Sequence, residues 1–212
     1  MKKVFLAMSV AVLLTLAVTP ASANLVPPFT SVPGVPLTSI SSLPAGTLVK
    51  STGTINFSFG TTANPTKNNG TLVEDVYRDV HGFLFFVFQI HVSGGPKGDT
   101  ERLTIGDWSN GISINAEQYT PKGDIKSTGV DRNGLGTVGI NWTKPLITAG
   151  KTSSWVVLYT DSKGYVPGVM GLIDSGSSPS IPGYVAAPEP ATLSLLGFGL
   201  VGLGTLRRKF RK

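Results

Sequence analysis

Hydrophobic and polar residues alternate over short runs through the middle of the chain, and turn-forming residues separate these runs. No stretch between residues 47 and 187 sustains the 3.6-residue period of an amphipathic helix. Residues 54–59 and 72–80 alternate as half-buried strands do, whereas the apolar run 83–92 indicates a central strand buried on both faces. Many short strands at near-regular spacing predict an all-β fold, with an antiparallel β-sandwich first and a barrel second. Shorter strands are predicted at residues 102–105, 112–118, 137–143, 154–160 and 166–173.

The N-terminal residues follow the order of a secretory signal peptide. Lys2 and Lys3 precede an apolar run over residues 4–18, and Ala21 and Ala23 have the spacing that signal peptidase recognises. We therefore predict export through the Sec translocon and cleavage after Ala23. A permanent N-terminal anchor is the alternative, but a run of about 15 apolar residues is short for a membrane span.

The C-terminal residues have three parts: a proline motif, an apolar segment and a basic end. Pro188, Glu189 and Pro190 precede the uncharged residues 191–206, which would reach about 24 Å as a helix, just under the usual hydrocarbon thickness. We predict a single transmembrane helix there, with the body outside the inner membrane because basic flanks stay in the cytoplasm. The basic residues that would stop transfer are Arg207, Arg208, Lys209, Arg211 and Lys212.

The basic charge of the chain belongs to these two ends. The formal net charge is +6, but seven of the 18 Lys and Arg residues lie in the N-terminal run and in the last six residues. Because Glu189 is the one acidic residue of the ends, the body carries 11 basic and 11 acidic residues and is formally neutral. A neutral body argues against nucleic-acid binding. The absence of cysteine excludes disulfides, thiolate metal ligands and a cysteine nucleophile.

The tail over residues 188–212 closely resembles the PEP-CTERM sorting signal of Gram-negative and related bacteria. In that family a Pro-Glu-Pro triplet, a short transmembrane helix and a basic end occur in this order, as they do here. The resemblance implies recognition by exosortase, a membrane transpeptidase, near Pro188, Glu189 and Pro190. It implies removal of the helix after a transient stay in the inner membrane, and transfer of the body to the cell surface or extracellular matrix. An ordinary C-terminal anchor is the alternative.

These features divide the chain into four parts. Residues 1–23 are the predicted signal peptide, 24–46 a leader rich in Pro, Ser and Thr, 47–187 the β-sandwich domain and 188–212 the sorting signal. The leader holds five prolines and is predicted to be extended, with room for an edge strand.

Two sequence patterns in the body could indicate a nucleotide-binding or catalytic site, but a structural interpretation is simpler for both. Residues 134–139 match G-x-G-x-x-G, but a predicted strand follows them where a dinucleotide site needs a helix. Glu74, Asp75 and Asp79 lie close together in the sequence, and paired carboxylates can serve glycoside hydrolysis. A solvated face or a loose calcium site is the simpler interpretation of these carboxylates.

Three aromatic residues form a candidate sugar-stacking surface. Trp108, Trp155 and Tyr159 are considered because aromatic ring faces suit the C–H-rich faces of sugar rings. Trp155 and Tyr159 fall on one face of a predicted strand, and Trp108 falls in a predicted turn. Packing in the core or at its rim is the alternative for all three.

Taken together, the sequence predicts an exported protein that is not an enzyme. We expect no catalytic residue, no metal site and no cofactor. The predicted role is structural or adhesive, in the envelope or exopolysaccharide. The second alternative is a carbohydrate-binding module of the exopolysaccharide matrix, and the third is a secreted hydrolase.

Overall fold

The structure is a computed structural model that describes residues 24–27, 34–61, 64–94, 99–108, 111–121, 124–173 and 179–187. These residues form β-strands and no helix, so they contain no helix that could cross a membrane. The predicted signal peptide and sorting signal lie outside the described residues. The strands are β1 (Asn24–Leu25), β2 (Thr38–Ile40), β3 (Thr47–Thr61), β4 (Asn64–Arg78), β5 (Leu84–Gly94), β6 (Asp99–Thr100), β7 (Arg102–Ile105), β8 (Ile114–Tyr119), β9 (Gly129–Arg132), β10 (Val138–Asn141), β11 (Ile147–Thr148), β12 (Lys151–Thr152), β13 (Trp155–Thr160), β14 (Gly164–Ile173) and β15 (Ser180–Ala187).

The larger sheet has eight strands, and β5 lies near its middle. β3, β4, β5, β13 and β8 lie side by side in this order, and β12 also pairs with β5. At the outer edge of β8, β1 pairs antiparallel and β2 pairs parallel. The first five residues of β5 are all buried, which confirms the central strand predicted from the apolar run.

The smaller sheet packs against one face of the larger sheet. It has the antiparallel order β15, β14, β7, β10 and β9, and β6 and β11 form a separate pair. The core joins both sheets, because Phe86 and Ile90 of β5 belong to the same cluster as Leu103, Ile140 and Leu172. Two antiparallel sheets around one core are the arrangement of a β-sandwich. The all-β, antiparallel prediction is thereby confirmed.

The leader is built into the edges of both sheets. β1 and β2 extend the larger sheet beyond β8, while Val35 forms an isolated bridge with Val130 of β9 in the smaller sheet. The two backbone hydrogen bonds of this bridge measure 2.7 and 3.0 Å. Val26 is buried in the core at 1% exposure. The described parts of the leader therefore pack as part of the sandwich and close one of its sides.

Of the strands with four or more residues, the sequence did not predict β9 and β15. β9 includes Asp131 and Arg132, and the turn that follows it begins only at Asn133. β15 contains Pro182 and Gly183, residue types that sheets disfavour. Its position at the edge of the smaller sheet explains its tolerance of proline, because an edge strand can leave one N–H side unpaired.

Candidate functional site

β4 buries a carboxyl group on its core face. Glu74 is 0% exposed, and its Oε2 accepts a hydrogen bond of 2.9 Å from the backbone N–H of Tyr184 in β15. The carboxyl group thus ties the larger sheet to the edge strand of the smaller one. A Cβ atom at Gly183 would lie 2.7 Å from the same oxygen, so glycine is needed where β15 passes over Glu74.

β3 bends around the position of Glu74. The pairing of β3 with β4 shifts between Ser51 and Thr54, which forms a bulge. Within the bulge, Thr52 Oγ1 accepts the backbone N–H of Glu74 at 3.0 Å and so replaces a backbone ladder bond. Lys50 Nζ lies 5.5 Å from the ring centre of Tyr184. Bulges redirect side chains and are common near sites, and this one shapes the corner where β3, β4 and β15 meet.

The Glu74 carboxyl group is held in its neutral form. Burial raises the pKa of Glu74 from 4.5 to about 8, the Tyr184 N–H opposes this rise, and the charge of Asp75 adds to it. Oε1 is buried and has no hydrogen-bond partner within the described residues. At neutral pH the side chain therefore keeps its proton, because a charge here would be desolvated with a single hydrogen bond.

The carboxylates that the sequence grouped together do not form one site. Glu74 faces the core, and Asp75 faces away from it because neighbouring strand residues alternate in direction. Asp79 Oδ1 accepts the backbone N–H groups of His81 and Phe83, each at 2.8 Å, and so shapes the turn after β4. The interpretation of Glu74 as part of a solvated face is wrong. In the described ranges, no group of three or more His, Cys, Asp or Glu side chains could hold a metal ion.

Four aromatic side chains meet on the outer face of the larger sheet, and we call them the outer aromatic cluster: Tyr77, Phe85, Trp155 and Tyr159. The rings of Tyr77 and Phe85 stack with centroids 5.1 Å apart, and the rings of Phe85 and Tyr159 lie 5.9 Å apart. Trp155, Tyr159 and Tyr77 are half-buried, so each has an accessible part. The structure thus brings together two of the three predicted sugar-stacking residues.

Trp108 does not belong to this surface. Its side chain is 1% exposed, and its ring packs edge-on against Phe86 with centroids 5.1 Å apart. Phe86 lies on the core face of β5, whereas Phe85 of the outer aromatic cluster lies on the opposite face. The prediction that Trp108 could stack on sugar is therefore wrong, because the segment after β7 folds the ring into the core.

A buried acid supports the outer aromatic cluster. Tyr159 donates its phenolic hydrogen to Glu117 Oε2 at 2.7 Å, and Glu117 is 1% exposed. Burial raises the pKa of Tyr159, and the hydrogen bond and charge of Glu117 raise it further. The phenol therefore stays protonated in the physiological range and holds its ring in a fixed position. The sequence predicted β8 and β13 but not their pairing, so it did not predict the contact between Tyr159 and Glu117.

The glycine pattern at residues 134–139 has a structural explanation. It covers the turn between β9 and β10, and strands lie on both sides of it. Gly136 has a positive φ of 85°, and a Cβ atom there would lie 2.3 Å from the carbonyl oxygen of Trp108. At Gly139, a Cβ atom would lie 2.0 Å from Nη2 of Arg102, which crosses β10 to reach Asp131 in β9. These glycines serve a tight turn and a close side-chain crossing.

The last described strand ends where the proline motif begins. β15 finishes at Ala187, whose carbonyl oxygen accepts the hydroxyl hydrogen of Ser162, and Ala186 is buried at 1% exposure. Pro188, Glu189 and Pro190 follow directly in the sequence but lie outside the described residues. The same holds for the predicted stop residues and for Ala21 and Ala23.

Comparison with known proteins identifies this tail. Residues 186–209 match the family model described as the PEP-CTERM protein-sorting motif. No curated protein and no solved structure matches the chain. The motif indicates export and sorting to the cell surface, with exosortase as the processing partner. The chain is therefore a protein with a C-terminal PEP-CTERM protein-sorting motif.

Proposed function

We propose that the chain is a non-enzymatic surface or matrix protein with a structural or adhesive role. It is made with a cleaved signal peptide, held for a time in the inner membrane by residues 191–206, and released to the surface by exosortase. The single observation that carries this proposal is the sorting motif at residues 186–209, which overlaps the end of β15. The motif thus begins inside β15, the last strand among the described residues.

The N-terminal side of the described body is compatible with the same export pathway. Asn24, the first residue that would remain after cleavage behind Ala23, belongs to β1. Asn24 pairs with Ala116 of β8, and its side-chain amide donates to the carbonyl oxygen of Pro36 at 2.6 Å. A mature chain starting at Asn24 would therefore have an anchored first residue.

The proposal predicts both termini of the mature protein. We expect mass spectrometry of surface material to find Asn24 at the N-terminus and a C-terminus near residues 188–190, without the apolar segment. Replacing Arg207, Arg208 and Lys209 by glutamine should reduce processing, because the basic end that fixes the orientation of the helix is weakened. A matched control is Lys151→Gln, at an exposed position of β12 in the body. Surface material that still carries residues 210–212 would contradict the proposal.

A second candidate function is carbohydrate binding, and the outer aromatic cluster favours it. Trp155 and Tyr159 are half-buried rings on one strand face, and Tyr159 is held by the ring of Phe85 and by its hydrogen bond to Glu117. Rigid rings with one accessible part suit the faces of sugar rings. We propose the exopolysaccharide of the bacterium that makes the protein as the ligand class, since the sorting route delivers the protein to it.

This second function predicts weaker glycan retention when a cluster ring is removed. Trp155→Ala should lower retention on immobilised exopolysaccharide of that bacterium by up to about tenfold, since such ring contacts contribute about 0.5–1.5 kcal/mol. Tyr165→Ala is a matched control, because Tyr165 is a half-buried ring on β14 that packs against Tyr184 at 5.6 Å. Equal retention of wild type and Trp155→Ala, with the fold intact by circular dichroism, would exclude this surface.

A further inference from the structure

One end of the sandwich is the end from which the chain leaves toward the sorting motif, and we call it the exit end. Ala187 pairs with Gly164 at the beginning of β14. The turn before Gly164 lies beside the turn between β4 and β5, because the N–H of Leu84 donates to the carbonyl oxygen of Ser162 at 2.8 Å. The exit end therefore includes the turns at residues 79–83 and 161–163.

The turn between β9 and β10 points to the same end. Val138 pairs with Ile105, and Ile105 pairs with Met170 of β14. Asn141, at the other end of β10, lies at the level of Ile173 of β14. The direction from Asn141 to Val138 is therefore the direction along β14 toward Gly164. The turn at residues 133–137 continues beyond Val138 in this direction.

Exposed apolar side chains concentrate at the exit end. Val80 is 90% exposed in the turn after β4, and Leu135 is 91% exposed in the turn after β9. Among the described residues, the other large exposed hydrophobics near this end lie within a few strand positions of it. They are Leu25, Leu48 and Val166. Exposed apolar side chains gathered at one end of a fold can meet another apolar phase.

The short segment between Ala187 and the apolar residues 191–206 indicates that this apolar phase is the membrane. Only residues 188–190 separate Ala187 from the uncharged residues 191–206, and three residues span at most about 10 Å. The carbonyl oxygen of Ala187 is held by Ser162, so β15 adds no slack. While the apolar segment is inserted, the exit end must therefore lie within about 10 Å of the membrane surface.

The charges at the exit end do not favour an anionic partner. Arg78 Nη1 donates to the carbonyl oxygen of Gly82 at 2.9 Å, and Lys163 Nζ lies 5.3 Å from the ring centre of Phe83. The three acidic side chains at this end, Asp79, Asp107 and Asp161, offset these two basic side chains and Arg132, which interacts with Asp161. Apolar contact, rather than attraction to charged headgroups, would hold this end on a bilayer.

We propose that the exit end docks on the lipid surface of the inner membrane before processing, with Val80 and Leu135 in the interfacial layer. This docking rests on the proposed membrane-anchored intermediate. It positions the proline motif at the bilayer surface, where a membrane-embedded transpeptidase works, and it fixes the orientation of the sandwich. Removal of the tail ends the docking, because these few side chains alone bury too little apolar area for stable binding.

The test uses the absence of cysteine from the chain, which allows a single label at each chosen position. The full chain, made in cells without exosortase, is reconstituted into phosphatidylcholine vesicles that carry nitroxide lipids labelled either at the headgroup, for positions 80, 135 and 149, or deep in the acyl chain, for position 200. An environment-sensitive fluorophore is attached to Val80→Cys, Leu135→Cys or Ala149→Cys. Ala149 is the matched control, because it is exposed in the turn before β12, whose Lys151 pairs with Val92 at the far end of β5. Leu200→Cys reports insertion of the tail.

The expected result is quenching of the labels at positions 80 and 135 that is several-fold stronger than at position 149, with emission shifted to the blue. If position 200 is quenched while positions 80 and 135 behave like position 149, the anchor exists and the docking proposal is wrong. If position 200 is also unquenched, the membrane-anchored intermediate itself is wrong, and docking falls with it.

Discussion

Replacing Glu74 by glutamine is expected to remove most of the pH dependence of the stability of the β-domain between about pH 4.5 and 8. In the folded protein the pKa of Glu74 is raised to about 8, whereas its ordinary value is 4.5. The folded state therefore binds more protons than the unfolded state throughout this window. The free energy of unfolding is thus highest below pH 4.5 and falls as the pH rises through the window to about 8.

The expected size of this effect is large because Glu74 is fully buried. A shift from 4.5 to about 8 corresponds to a loss on the order of 5 kcal/mol between the acidic and basic ends of the window. In Glu74→Gln the amide oxygen can still accept the Tyr184 N–H, and the side chain cannot ionise. At pH 8 and above, the variant should be more stable than wild type, while near pH 4.5 the two should be close.

The measurement is guanidinium unfolding followed by tryptophan fluorescence across this pH range. Glu101→Gln is the matched control, since Glu101 is half-buried and its described hydrogen bonds involve only its backbone. The control should keep the wild-type pH dependence. A wild-type protein with constant stability from pH 5 to 8, or a Glu74→Gln variant that follows the wild-type curve, would contradict the neutral buried carboxyl group.

The position of Glu74 could have been inferred in part from the sequence. Leu72, Glu74 and Val76 occupy alternate positions of a predicted strand, which puts all three side chains on one face. The sequence did not predict β15, because Pro182 and Gly183 are residue types that strands disfavour. β15 passes over Glu74 and so removes its carboxyl group from water. Alternation therefore predicts a shared face, but burial depends on the opposite sheet.

The same limit explains which site residues were predicted and which were missed. Trp155 and Tyr159 were correctly placed on one strand face, because both lie in a single strand. The support of Tyr159 by Phe85 and Glu117 depends on the neighbours of β13, and a sequence read strand by strand does not give neighbours. Trp108 lies outside regular strands, so no periodicity indicated that its ring enters the core. Local patterns thus predicted elements, whereas the contacts between elements define the candidate sites.

The second large effect is expected at the ion pair that crosses the smaller sheet. Arg102 of β7 donates from both terminal nitrogens to Asp131 of β9, with Nη2 to Oδ1 at 2.7 Å, and Asn141 Nδ2 donates to Asp131 Oδ2 at 2.6 Å. The Asp131 side chain is 4% exposed and that of Arg102 is 18% exposed. Arg102→Leu would leave a buried carboxylate without its cationic partner. We expect a loss of about 3 kcal/mol in the free energy of unfolding.

A double-mutant cycle separates the pair from its surroundings. Asp131→Leu combined with Arg102→Leu removes both charges, and the double variant should regain much of the stability that Arg102→Leu loses, because no unpaired charge remains buried. Gly139→Ala should weaken the same pair without altering either charge, since a Cβ atom there would lie 2.0 Å from Arg102 Nη2. Additive effects of the two single substitutions, measured by guanidinium unfolding, would show that the pair contributes nothing as a pair. Strong coupling would instead explain why glycine stands at position 139, within the G-x-G-x-x-G match at residues 134–139.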